Sequence, residues 1–204
     1  MTARTGLKME MTQRNMSIDE THEQHSLALA LAGYRQRWQD EADTVADFAD
    51  LFADAGNPFV RERLAGHFTG AAWLVSADGE RVLLTHHRKL DRWLQLGGHA
   101  DGDTDLRRVA LKEAEEESGL GGLSVEPEIF DLDRHRIPEH KGVPAHWHYD
   151  VRYVVHAGSD EAFVVSDESH ALAWRDIAAL LQDATLDASL HRMARKWLLR
   201  RGSS

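Results

Sequence analysis

Residues 97–120, GGHADGDTDLRRVALKEAEEESGL, decide how this chain is to be read. Two glycines open the stretch, a polar run rich in Asp follows, and a block of strong helix formers ends at Gly119. The spacing predicts a helix over 104–118, with Thr104 as N-cap and Gly119 as its stop. On a wheel of about 100° per residue centred on Glu113, Leu106 falls at about +20°, Val109 at about −40° and Ala110 at about +60°. These three define a buried stripe. Glu116, at about −60°, and Glu117, at about +40°, extend the same stripe. The inward face of one helix thus turns from apolar to acidic.

Carboxylates gathered on one inward face repel one another and are costly to strip of water. Lys112 alone, about a quarter-turn away, does not balance them. Hard divalent cations such as Mg2+ or Mn2+ take clustered carboxylate oxygens and keep part of their water. A solvated acidic patch is the bland alternative for such a string, and the Gly-Gly turn ahead of the helix argues against it.

The segment resembles the Nudix box: Gly, five residues, Glu, seven residues, then Arg-Glu-hydrophobe-any-Glu-Glu-any-Gly-hydrophobe. Here the pattern falls on Gly98, Thr104, Lys112, Glu113, Ala114, Glu116, Glu117, Gly119 and Leu120. The preceding Trp93-Leu94-Gln95-Leu96-Gly97 resembles the strand that enters the box. Two positions depart, since the family's first Glu is Thr104 and its Arg is Lys112. In the family those two side chains pair and brace the loop, so a bracing ion pair is lost here; Asp101, Asp103 and Asp105 stand close enough to substitute.

The resemblance implies an α/β fold of the α+β type, a Nudix-like α/β/α sandwich with a mixed sheet. It implies an enzyme that hydrolyses a phosphoanhydride bond in a nucleoside diphosphate linked to another moiety, such as a nucleotide sugar or ADP-ribose. The alternative is a non-catalytic Nudix-like module that senses a nucleotide. By the same resemblance Glu113, Glu116 and Glu117 are the catalytic residues and hold Mg2+ or Mn2+, with the Gly98 carbonyl and the downstream Glu168 as further ligands. Glu113, or a residue outside the box, is the candidate general base.

Working upstream, residues 1–16 lack periodicity and are expected to be a disordered tail. Residues 17–64 are expected to form an N-terminal helical extension. Leu27, Leu31, Tyr34 and Trp38 make one helix stripe, and Thr44 is the expected N-cap of a second helix carrying Val45, Phe48, Leu51 and Phe52. Packing or homodimerisation is their expected role. The catalytic domain is expected over 65–204.

Within it, strands are expected over 67–76 and 81–87, joined at Asp78-Gly79, and over 90–96, 125–131, 147–156 and 163–165. Helices are expected over 176–181 and 188–200. Strands flank the central helix rather than alternating with helices, which favours a mixed sandwich over a Rossmann sheet.

The run His146-Trp147-His148-Tyr149-Asp150-Val151-Arg152 alternates strictly. His146, His148, Asp150 and Arg152 share one strand face, with aromatic and apolar residues on the other. Two imidazoles, a carboxylate and a guanidinium suit phosphate contacts or an ion; an exposed polar edge is the competing reading. Zinc through His146 and His148 is a weaker alternative. His135, expected in a loop before this strand, joins them as a substrate-binding candidate.

The composition bounds the partners. A formal charge of −10 argues against a nucleic acid polymer. The basic cluster Arg192, Arg195, Lys196, Arg200 and Arg201 is expected to be a solvated helix face. With no cysteine, disulfides, thiolate metal sites and a thiol nucleophile are excluded. No apolar run is long enough for a bilayer and no secretory h-region stands near residue 1, so a cytoplasmic location is expected.

Overall fold

The long apolar runs on either side of Asp78-Gly79 form two adjacent antiparallel strands of the sheet. In the computed structural model, which describes residues 18–88, 90–140, 142–165 and 169–202, seven strands form one sheet. The elements run α1 (Ile18–Arg37), α2 (Ala42–Ala53), β1 (His67–Val75), β2 (Arg81–His87), β3 (Arg92–Leu94), β4 (Leu96–His99) and α3 (Leu106–Ser118). They continue with β5 (Ser124–Ile137), β6 (His146–His156), β7 (Ser169–Asp176), α4 (Ile177–Leu180) and α5 (Ala188–Gly202). The tail expected over 1–16 lies outside the described residues, as does Glu168.

The main path is β3-β2-β1-β6-β5, with β4 also on β1 and β7 also on β2. β1 and β6 run parallel, pairing His67 with His148 and Val75 with His156; the remaining pairs are antiparallel. The sheet is therefore mixed. β1 is buried along its whole length because helices cover both of its faces.

On one face, Phe68, Tyr149, Val151 and Tyr153 pack with Leu106, Val109 and Ala110 of α3. Leu31 and Tyr34 of α1 and Phe48 of α2 join that same cluster. Packing against the sheet is thus what the N-terminal helices do. On the other face, Trp73, Val82, Leu84 and Val154 meet Leu190, Met193 and Trp197 of α5.

Several boundaries differ from expectation, each for a local reason. α2 begins at Ala42 straight out of a 3-10 turn at Gln39–Glu41, which leaves Thr44 inside the helix. The N-cap of α3 is Asp105, not Thr104: its carboxylate accepts from the backbone N–H of both Arg107 and Arg108, and an anion is favoured at a helix start. The stretch expected over 90–96 splits into β3 and β4, and Gly97-Gly98 lies inside β4, paired with Ala71 and Gly70, rather than in a turn. Residues 163–165 form no strand, since the Val164 N–H donates to the Ser118 carbonyl at the end of α3. β7, paired with β2, was not foreseen. The expected helices over 176–181 and 188–200 correspond to α4 and α5.

Asp105→Ala is expected to remove the cap at a cost of about 1 kcal/mol. For a domain of this size the thermal midpoint falls by about 2–4 °C. An unchanged melting curve by circular dichroism would show that the cap adds nothing.

Candidate active site

The close approach of α3 to the sheet depends on residues without side chains. A Cβ on Gly70 of β1 would stand 2.8 Å from the Val109 side chain, so only glycine lets the helix down onto the strand. A Cβ on Gly98 of β4 would stand 2.5 Å from Glu113 Oε2. The Glu113 carboxylate therefore lies directly against the bare Cα of Gly98. One helical turn on, Glu117 Oε1 accepts a hydrogen bond of 2.8 Å from the Gly97 N–H. Two acidic side chains from one helix thus converge on one pair of glycines.

Glu116 departs from the wheel. Its side chain is 60% exposed and stands 3.7 Å from Lys112 Nζ. The buried stripe drifts instead to Ala114 and Ser118, leaving Glu116 at the solvent border of the same helix turn. All three carboxylates belong to one end of α3, but only Glu113 and Glu117 touch the glycine strand.

Gly98→Ala is expected to displace the Glu113 carboxylate and to lower any activity that depends on it, while Gly121→Ala, where a Cβ meets open space and φ is not left-handed, serves as the control. Equal activity of Gly98→Ala and wild type would mean that Glu113 need not sit there.

The loop between β4 and α3 is braced by the aspartates. Asp103 holds Arg108, with Nε to Oδ2 at 2.8 Å, Asp105 caps α3, and Asp101 holds Arg61, with Nε to Oδ1 at 2.6 Å. Thr104 is buried and Lys112 pairs with Glu116, so the bracing pair missing from the box is made elsewhere. Arg61 was not foreseen. Its hydrogen bonds to Asp101, against the opposing effect of burial, raise its pKa, and the charge of Glu113 adds to this.

Turning to β6, the alternation places His146, His148, Asp150 and Arg152 on one sheet face as expected, but that face is largely buried. Arg152 is 2% exposed. Its guanidinium lies 3.1 Å from Asp131, 3.1 Å from Asp150 and 3.3 Å from Asp133. A group so enclosed, held by three aspartates with its Nε left without a hydrogen-bond partner among the described residues, is an internal counter-ion rather than the expected substrate contact. Asp150 is likewise buried, accepting from Thr69 Oγ1, from Arg152 and, at 3.3 Å, from Gln95 Nε2.

The basic cluster of α5 is not simply a solvated face either. Lys196, 4% exposed, reaches Asp131 and Glu41, each at 2.7 Å, and Arg192 reaches Asp131 at 2.7 Å and Asp133 at 2.9 Å. These ties fix α5 to β5 and to the 3-10 turn between α1 and α2.

His135 lies in β5, opposite His148, and not in a loop. Burial alone would lower its pKa, but the hydrogen bond to Asp133 and the charge of Asp150 outweigh burial and raise it. Its neighbours move the other way. Burial pushes His148 down to about 3 and His99 down to about 4, helped in each case by the surrounding imidazoles. His67 of β1 and His99 of β4, which the sequence reading did not single out, join His135, His146 and His148 on this face. Only the β1–β6 and β1–β4 registers bring them together, and register is not written in either strand alone.

A mixed sheet between helix layers, with carboxylates of one helix set against a Gly-Gly strand, defines a class of α/β/α sandwich hydrolases. A NUDIX domain model matches residues 67–197. The chain belongs to the NUDIX family. Solved structures share the fold. An Ap4A hydrolase from C. elegans matches with a TM-score of 0.54 at 16% identity, over 67% of this chain and 98% of its own. A MutT protein from Methanosarcina mazei Go1 matches with a TM-score of 0.53 at 18% identity, over 68% and 97%. The E. coli dihydroneopterin triphosphate pyrophosphohydrolase matches with a TM-score of 0.53 at 17% identity, over 65% and 95%. No curated protein sequence matches the chain. Among the described residues no helix is long and apolar enough to cross a membrane.

Proposed function

We propose that this chain hydrolyses a phosphoanhydride bond in a nucleoside diphosphate linked to another moiety, a nucleotide sugar or ADP-ribose being the leading forms, with Mg2+ or Mn2+ as cofactor. The observation that carries the proposal is the convergence of Glu113 and Glu117 on Gly98 and Gly97. The donor set fits a hard cation, because it consists of carboxylate oxygens with the Gly98 carbonyl on the same strand. Glu113, Glu116 and Glu117 would hold the ions, with Gly98 and Glu168 as further ligands. When bound, such ions neutralise the pyrophosphate and acidify the attacking water.

The chain's own residues do the rest. Glu113, half-buried against Gly98, is the base that orients and deprotonates the water. Arg61, half-exposed beside Glu113 and held by Asp101, meets the negative charge of the substrate phosphates. On the sheet face, His135 leans towards its charged form and suits a phosphate or an anionic oxygen. His146, His148 and Asp150 share that sheet face with it.

The experiment is a substrate panel in which nucleotide sugars, ADP-ribose, nucleoside triphosphates, Ap4A and dihydroneopterin triphosphate are incubated with Mg2+ or Mn2+. Product release is followed by chromatography. Turnover of one class above the others supports the proposal. Tight nucleotide binding with no product under either metal would make the chain a sensing module instead.

A further inference from the structure

A second group of potential metal ligands, apart from the glutamates of α3, lies on β1 and β6. One ring nitrogen from each of His67, His146 and His148 lies within 4.8 Å of the others. The ring atoms that face outward are already committed. His67 Nδ1–H donates to the Arg63 carbonyl at 3.2 Å, and His146 Nδ1–H donates to the Pro144 carbonyl at 2.8 Å. A carbonyl can only accept, so both protons sit on Nδ1. In a neutral ring that leaves Nε2 as a bare lone pair.

His67 is 1% exposed, and its Nε2 is buried with no hydrogen-bond partner among the described residues. An orphaned acceptor at that depth costs roughly 1–3 kcal/mol. His146 Nε2 and His148 Nε2 stand 3.2 Å apart. A proton on His148 Nε2 would join those two atoms and still leave His67 unserved. A single cation serves all three. Two nitrogens bound to one tetrahedral ion at about 2.0–2.1 Å lie about 3.3–3.4 Å apart, close to the separation found here.

We propose that His67, His146 and His148 form a three-histidine site for a zinc-type divalent ion, distinct from the carboxylate site on α3. Imidazole nitrogens favour a borderline transition ion over Mg2+, which prefers oxygen. The backbone carbonyls of Arg63 and Pro144 act as the outer partners that fix the tautomers of such ligands. Three protein ligands leave a fourth position open. The His99 ring is the nearest further imidazole, 5.3 Å from His67 and 5.0 Å from His148 between ring centres.

The test uses the full chain with no histidine tag, stripped with a chelator, reloaded with Zn2+ and desalted; bound zinc is measured by elemental analysis. One zinc per chain is expected in wild type and in Glu113→Gln/Glu117→Gln, falling to background in His146→Ala and in His67→Gln. Circular dichroism checks that each variant folds. Should His67→Gln fail to fold, His146→Ala and His148→Ala decide the matter alone. Co2+ in place of Zn2+ should give the intense visible absorption of a four-coordinate ion. No retained zinc in wild type, equal zinc in His146→Ala, or zinc lost in Glu113→Gln/Glu117→Gln would each overturn the site. None of these readouts depends on hydrolysis, so failure here and failure of the proposed activity are told apart.

Discussion

Glu117→Gln is expected to lower hydrolysis of the responsive substrate by about 10²–10⁴-fold, the range seen when a group acting directly on proton transfer or charge at the reacting centre is lost. Stability should hardly move. The glutamine carbonyl can still accept from the Gly97 N–H, and a partly exposed replacement of this kind stays within about 0.5 kcal/mol. Glu116→Gln should lose activity comparably and stability even less, since its exposed pair with Lys112 contributes about 0.3–0.5 kcal/mol. Steady-state rates with Mn2+ beside melting curves separate the two effects. A variant as active as wild type would remove the carboxylate from the chemistry.

The largest effect on stability is expected at Asp131. Its side chain is fully buried, and it accepts from Arg152, Arg192 and Lys196. Asp131→Ala leaves Arg152 and Lys196 with less countercharge in a dry interior. Breaking such a buried pair costs about 3–5 kcal/mol. The thermal midpoint should then drop by roughly 6–20 °C for a chain of this length. Replacing the whole charged set with apolar residues is a different matter and is often neutral. A drop of only a degree or two in Asp131→Ala would show that Glu41, Asp133 and Asp150 carry the cations without it.

Acid should weaken the same network. Burial works to raise the pKa of Asp133, but its hydrogen bond with His135 and the charges of Arg152 and Arg192 hold it well below the usual carboxylate range. An unfolded aspartate takes up its proton near about pH 3.9. Below that the unfolded chain binds more protons than the folded one, so the stability contributed by Asp133 is present above about pH 4 and lost as the pH falls further.

What could be read from the residues was local. α3, the hairpin at Asp78-Gly79 and the alternation of β6 each follow from neighbours a few positions apart, and each stands in the structure. The polar face of β6 was harder. Alternation marks two faces but not what covers them, and here Asp131, Asp133 and Asp150 surround a buried Arg152. His135 reads as loop because it is flanked by Arg134, Arg136 and Pro138, yet Ile137 still pairs with His146 and the strand runs through. The histidine cluster needs the parallel pairing of His67 with His148, a contact between residues 81 positions apart in the neighbouring Thr69–Asp150 pair. No short window holds that information.

Lys196 Nζ stands 2.5 Å from the Tyr34 hydroxyl, across 162 positions of sequence. At about 5–20 residues per second on the ribosome, Tyr34 emerges roughly 10–30 seconds before its partner exists. The sheet face that α1 and α2 cover is complete once β6 ends at His156, about 40 residues before Lys196. Until then their apolar stripe is a nascent hydrophobic surface, and the tie to α5 comes last.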